Sequence, residues 1–210
     1  MEITDIRMTK RGRFSIYVEG EFACVLHPDI YALSGVAVGD TLTPHQLERL
    51  KGESTGRLAR EKALALLSRR AYTAWKLYGK LVEYTEDEEA AAAAVARMEE
   101  LGLVNDADYA RRFAADCLNL RHYSIPRTAQ ALGEKGVDRE LIWETLESLE
   151  YDPQTAIAGL VLRKYAGYLE DEKGVRKTIS ALQRLGYRYG DIHAVLENLA
   201  EDPAYYENRD

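Results

Sequence analysis

Cysteine is scarce in this chain: two residues in 210, Cys24 and Cys117, far apart and each set in an apolar pattern. That placement excludes CxxC chemistry and a disulfide framework, and it fits a reducing, cytoplasmic compartment. Long hydrophobic runs are missing too. The longest weakly polar stretch, Ala90 to Ala96, is alanine with valine and falls far short of a membrane helix, which needs roughly 18 apolar residues. Met1 to Lys10 holds no apolar run of the kind that opens a signal peptide. Positive charge is in deficit, with 28 basic against 35 acidic residues and a net charge of −7. Such a balance argues against broad, charge-driven binding to naked DNA, which needs a basic face to displace counterions.

Catalytic signatures are equally absent. The four histidines, His27, His45, His122 and His193, form no HxxxH or HExxH and read as ordinary surface or interface residues. No GxxxxGK[ST], GxGxxG or GxSxG occurs. The carboxylate run Glu86 to Glu89 reads as a solvated first helical turn rather than a metal site. Trp75 and Trp143 hold different places in their surroundings and read as core or interface packing. The expectation is a protein that binds a partner, with no enzymatic centre, no cofactor and no metal.

What is present divides into a β-rich start and a helical remainder. Ile3 to Met8, Phe14 to Val18 and Phe22 to Leu26 alternate with period two between Lys10-Arg11-Gly12 and Glu19-Gly20-Glu21, which predicts a meander of three short strands. A short helix is expected over Pro28 to Ser34. Thr43-Pro44-His45-Gln46 has the form of a helix start, with Thr as N-cap and Pro at the first position. Gly52-Glu53-Ser54-Thr55-Gly56 reads as a linker. Beyond it helix signals recur: capping-box spacing at Thr85 to Glu88, Gly102 at a helix end, Asp106 as an opener, and Asp152-Pro153.

Internal repetition organises the remainder. Leu81, Leu132 and Leu182 stand in register, separated by 51 and 50 residues, and Val95, Leu146 and Leu196 each follow 14 later. Ala91, Ile142 and Ile192 recur ten beyond each anchor, and Gly136 and Gly186 recur four beyond the last two. Each copy reads as three helices. The first has Leu58 to Arg70, Thr73 to Glu83 and Glu86 to Leu101; the second has Ala107 to Arg121, Ile125 to Glu134 and Arg139 to Leu149. The third has Pro153 to Leu169, Val175 to Leu185 and Tyr189 to Leu199. The predicted fold is therefore mainly α: three tandem three-helix repeats in an elongated array, preceded by a small β-rich module. The expected divisions are residues 1–52, 57–104, 105–150 and 151–202, with a tail over 203–210.

Local charge supplies the one binding signal. Residues 57–105 balance 8 basic against 8 acidic groups, so a basic stripe can survive inside an acidic whole. Arg70 and Arg121 each precede their anchor leucine by eleven residues. Lys76 and Lys80 lie i,i+4 on one helix face, and Arg127, Lys135, Arg163 and Lys164 extend the series through the later copies, with Arg176-Lys177 beyond. Cations recurring in equivalent places mark a partner surface.

At this point a family likeness is legible. Arg70-Ala71-Tyr72-Thr73-Ala74-Trp75-Lys76-Leu77-Tyr78-Gly79-Lys80-Leu81 resembles the pattern R-x-[YF]-S-x-x-E-L-x-x-K-L of the RecX regulators of the bacterial recombinase RecA. Leu101-Gly102-Leu103-Val104-Asn105-Asp106, Tyr109-Ala110, Phe113 and Leu132-Gly133-Glu134-Lys135-Gly136-Val137 are similar to the second repeat, and Leu182-Gln183-Arg184-Leu185-Gly186-Tyr187 to the third. The likeness covers about residues 57–200. Lys76 stands where the pattern has Glu, Thr73 where it has Ser, Ser124 where Gly is usual, and Leu185 where Arg is usual. The resemblance implies a monomeric, non-enzymatic protein that binds RecA and its filament on single-stranded DNA. It implies inhibition of filament growth, recombination and the coprotease activity behind the SOS response, with weak direct DNA binding. Set beside the residues, it places Arg70, Lys76, Lys80, Arg121, Arg127, Lys135, Arg163 and Lys164 on the partner-binding face. The competing reading is a DNA-binding or transcription-associated protein built from helix-turn-helix-like units.

Overall fold

The computed structural model describes residues 1–201, so the expected tail and the last residue of the third repeat lie outside the described residues. Three strands, β1 (Ile3–Met8), β2 (Phe14–Val18) and β3 (Glu21–Leu26), form an antiparallel meander in the order β1-β2-β3. Ten α-helices follow among the described residues: α1 (Pro28–Ser34), α2 (Pro44–Leu67), α3 (Ala74–Thr85), α4 (Glu88–Glu100) and α5 (Asp106–Asn119), then α6 (Ile125–Gly133), α7 (Arg139–Glu147), α8 (Pro153–Leu160), α9 (Glu172–Arg184) and α10 (Tyr189–Glu201). They fall into two compact units, residues 1–105 and the chain from Asp106 onward.

In the first unit, α2 is shared between two cores. Its opening turn is set by a capping box, with the Thr43 side chain accepting from the Gln46 N–H and the Gln46 side chain accepting from the Thr43 N–H. Leu47 and Leu50 close the sheet core made by Ile3, Ile16, Val18, Cys24 and Leu26. Ala59 and Ala63 enter a second core with Leu77 and Leu81 of α3 and Ala91, Ala94, Val95 and Met98 of α4. The expected linker, Gly52 to Gly56, is helical and lies inside α2. Glycine costs a helix up to about 1 kcal/mol per residue, but buried Ser54 anchors this turn. Its hydroxyl accepts the His27 backbone N–H at 2.7 Å and donates to the Val25 carbonyl at 3.1 Å. Tertiary packing on both sides of the glycines overrides their local preference.

Other expectations shift in detail. α4 is capped by Asp87, which accepts from the Ala90 N–H, and not by Thr85, which ends α3. Glu86 between them takes φ 54°, so the first copy makes with a glutamate the left-handed turn that Gly136 and Gly186 make elsewhere. His27 is buried at 6% exposure and is no surface residue. Its Nδ1 accepts from the Asp29 N–H to cap α1, while Nε2 lies 2.8 Å from Glu61 Oε1.

The second unit holds the other two three-helix groups. Ala110 and Ala114 of α5, Leu132 of α6, and Ile142 and Leu146 of α7 pack around Val137. Ile157 and Leu160 of α8, Leu182 of α9, and Ile192 and Val195 of α10 pack around Tyr187. Asp152 caps α8 from ahead of Pro153, accepting from Gln154 and Thr155, and hydrogen bonds led by that from Thr155 hold its carboxyl below the usual range. The single long helix expected over Pro153 to Leu169 is broken. α8 stops at Leu160, Val161–Tyr165 form a π-helical turn, and Ala166–Tyr168 a 3₁₀ turn. Helix α9 also starts earlier than expected, with Asp171 accepting from the Gly174 N–H.

The repeat anchors behave alike. Leu81, Leu132 and Leu182 are each fully buried, and so are their neighbours Ala91 and Ile192, with Ile142 nearly so. Val95 and Leu146 are buried, whereas Leu196 is only half-buried at the edge of its core. Trp75 and Trp143 are exposed, at 57% and 41%, and take no part in the cores.

Candidate functional site

Seven of the eight cations singled out from the sequence occupy the ends of helices and the turns between them, and Lys80 lies in the middle of α3. Arg70 precedes α3, whose N-cap Thr73 accepts from the Lys76 N–H. Lys76 and Lys80 follow on α3 itself. Arg121 lies just past α5, Arg127 in the first turn of α6 behind its cap Ser124, and Lys135 just past α6. Arg163 and Lys164 sit in the π-helical turn after α8. Positions of this kind follow from the repeat: the helix-ending turns recur, and their residues cannot be buried without stranding backbone polar groups.

Their partners are mostly aromatic rings. Arg70 lies over Tyr72 at 4.7 Å and Lys76 over Trp75 at 4.2 Å. Arg121 and Lys135 both lie over Phe113, at 5.3 and 5.6 Å. Arg127 lies over Tyr123 at 5.5 Å and Lys164 over Tyr165 at 5.7 Å. Among the described residues, Arg70, Lys76, Lys80, Arg121, Arg127, Arg163 and Lys164 form no ion pair with a carboxylate. By contrast Arg49, Lys51, Arg57, Arg97, Arg111, Arg112 and Arg176 do. The two classes differ in consequence. A carboxylate cancels a cation's field, while a ring holds the cation through its quadrupole, for about 0.5–1 kcal/mol at an exposed site, and leaves the charge uncancelled.

Phe113 is the focus of the second unit's set. It stacks on Tyr109 with centroids 5.8 Å apart, so two cations and two rings gather beside α5. Arg127 donates to Gln130 Oε1 at 2.8 Å, while its Nε is buried without a partner. Arg163 and Lys164, adjacent in sequence, are not brought together. Arg163 folds back to donate to the Gly159 carbonyl at 3.0 Å and borders a mixed-charge cleft with His122, Glu150 and Asp152. Lys164 borders a different cleft, on the α9 side.

The rings were missed as members of the set when the sequence was read, although their signal was there: Trp75-Lys76 adjoin, and Tyr123 and Arg127 stand i,i+4. A further cluster was also missed, in which Arg13 donates to the Tyr84 hydroxyl at 2.5 Å and Lys62 lies over the same ring at 4.8 Å. Only the fold joins β2's approach to α3, so no spacing announces it. The buried thiols of Cys24 and Cys117 are pushed up in pKa by burial, which makes them poor nucleophiles.

Comparison with known proteins gives one consistent result. Residues 105–146 match the model of the RecX second three-helix domain. The chain is 28% identical over 185 residues to the regulatory protein RecX of Caldanaerobacter subterraneus subsp. tengcongensis, covering 88% of this chain and 90% of that one. It is 27% identical to the regulatory protein RecX of Clostridioides difficile, covering 97% and 98%. Among solved structures, one described as a crystal structure of regulatory protein RecX superposes with a TM-score of 0.63 at 20% identity, covering 93% of this chain and 98% of that one. RecX from Lactobacillus salivarius superposes with a TM-score of 0.60 at 22% identity, covering 70% and 97%. At those identities the structural matches bear on the fold alone.

Proposed function

We propose, from this chain's similarity to RecX proteins, that it is a regulator that acts by binding, and that its partner is the RecA recombinase in its filament on single-stranded DNA. In this reading it works in the cytoplasm and limits filament growth, and with it recombination and SOS coprotease activity. The observation that carries the reading is that Arg70, Lys76, Arg121, Arg127 and Lys164 are held on aromatic rings and form no ion pair with a carboxylate among the described residues. They keep their charge for an outside partner while costing little side-chain entropy on binding, because the rings already restrict them. A filament is a polyanion sheathed in protein, and an acidic chain with local cationic turns suits that mixed surface better than it suits bare duplex. No chemistry is needed. Binding preferentially to one filament state, or to its growing end, shifts the equilibrium by the difference in affinity.

The test is RecA-driven ATP hydrolysis on single-stranded DNA, followed as the protein is added. The parent should inhibit, and the variant Lys76→Glu/Lys80→Glu/Arg127→Glu should inhibit much less while keeping its helical content and melting temperature. Equal inhibition by parent and variant overturns the assignment of these cations. A parent that leaves hydrolysis untouched and does not co-pellet with the filament overturns the partner.

A further inference from the structure

Between the irregular turns after α8 and one face of α9 lies an open cleft of about 520 Å³. Four of the residues lining it are cations, Lys164, Arg176, Lys177 and Arg184, and none is a carboxylate. Arg176 is engaged by Glu172 one turn back on α9. Lys164, Lys177 and Arg184 have no ion pair among the described residues. Two tyrosines complete the wall. Tyr165 and Tyr168 have ring centroids 6.4 Å apart and planes tilted by 58°, and Tyr168 is 58% exposed.

The cleft is held by backbone. A Cβ on Gly174 would meet the Tyr168 carbonyl oxygen at 1.8 Å and its carbon at 2.8 Å, so only glycine lets the Tyr168 turn lie against the start of α9. Asp171 fastens the same turn by accepting the Gly174 N–H, and the Thr178 hydroxyl is spent on the Gly174 carbonyl. The Tyr168 ring therefore stands on a fixed support. Lys177, Ala181 and Arg184, spaced i, i+4 and i+7, run along the α9 face that borders the cleft. The π-helical turn Val161–Tyr165 sets Lys164 and Tyr165 at the opposite edge; such turns are frequent at functional sites.

We propose that this cleft binds a nucleotidyl unit, with the base stacked on the exposed Tyr168 ring and its phosphate on Lys177, Arg184 and Lys164. The cations select a polyvalent anion and the exposed ring selects a flat aromatic partner. A nucleotide carries both within the volume available, since small-ligand pockets run from about 300 to 1,000 Å³. Stacking on aromatics tolerates every base, so the cleft is blind to sequence. The inference stands apart from the RecA reading, because the ligand is bound with no recombinase present.

The test is calorimetric titration of the purified full-length chain at low salt with four probes: adenosine 5′-triphosphate, adenosine, tripolyphosphate and a short oligothymidylate. Binding of both the triphosphate and the oligonucleotide identifies a free nucleotide as an acceptable source; binding of the oligonucleotide alone identifies a strand as the source. In either case Tyr168→Ala should weaken binding by about tenfold or more, with Tyr168→Phe retaining it. Lys177→Glu/Arg184→Glu should weaken it at least as much and flatten its salt dependence. Lys10→Glu serves as the control and should change nothing, and circular dichroism should show every variant folded. The proposal is overturned if neither nucleotide probe binds at millimolar concentration, or if adenosine binds as tightly as its triphosphate. It also fails if tripolyphosphate matches the triphosphate while Tyr168→Ala has no effect.

Discussion

The backbone amide of Ser124 donates to the carbonyl of Leu185 at 2.9 Å, joining the cap of α6 to the end of α9. A helix start in one copy and a helix end in the next thus satisfy each other's orphan groups. Gly186 makes the approach feasible. It has φ 93°, and a Cβ there would stand 2.4 Å from the Ser124 hydroxyl and 2.6 Å from the Arg127 Cβ. Gly186→Ala should therefore destabilise the protein by about 2–4 kcal/mol, combining left-handed strain with overpacking against Arg127. Urea unfolding measures it, and a loss below about 0.5 kcal/mol would show that the turn relaxes freely.

Burial differs among the apolar positions that recur in the repeats, and stability should follow it. Leu132→Ala removes a fully buried side chain and should cost about 2–5 kcal/mol. Leu196→Ala acts at the half-buried edge of the third core and should cost clearly less. Denaturant midpoints for the pair decide the matter; equal losses would mean that the third core closes more tightly than described.

The Tyr151 hydroxyl donates to that of Tyr187 at 3.1 Å, linking the chain before α8 to the turn before α10. Burial pushes the Tyr151 phenol well above its ordinary value of 10, with the Tyr187 hydrogen bond adding to the rise, and burial raises Tyr187 as well. The folded state thus keeps protons that the unfolded chain releases above pH about 10. This contribution to stability is complete below that pH and is lost as the pH climbs beyond it. Tyr151→Phe/Tyr187→Phe should flatten the decline in stability between pH about 9 and 11.5, measured by urea unfolding. An unchanged alkaline slope would place its origin in other groups.

For naked duplex DNA at physiological salt the net charge of −7 predicts a Kd no tighter than about 10⁻⁴–10⁻⁶ M, the ordinary non-specific range. Fluorescence anisotropy across a salt series tests this. A nanomolar, sequence-dependent affinity would favour the helix-turn-helix-like reading of the three-helix groups.

Trp75 is exposed and carries Lys76 on its ring, so Trp75→Ala should alter folding stability by no more than about 0.5 kcal/mol. On the proposed RecA reading, inhibition of RecA-driven ATP hydrolysis should weaken in the same variant. A Trp75→Ala protein that melts early would instead assign the ring to packing.

Much of this molecule is decided locally. Strand alternation from Ile3 to Leu26, the caps Thr43 and Asp152, and the recurrence of Leu81, Leu132 and Leu182 are legible because periodicity and capping are short-range physics. The likeness to RecX rests on the same recurrence. The tertiary structure decided what local preference could not. Gly52 to Gly56 is helical because two separate cores grip α2 on either side of it. The helix expected to run through Leu169 breaks after Leu160 into a π turn and then a 3₁₀ turn, whose end lies against Gly174 of α9. The cations were legible one by one, but their partners were not. Whether Arg163 and Lys164 share a cleft, or Arg121 and Lys135 share one ring, depends on where distant turns meet in space. Contacts of that kind carry no period in the sequence, because the chain between them is free to take many lengths and compositions.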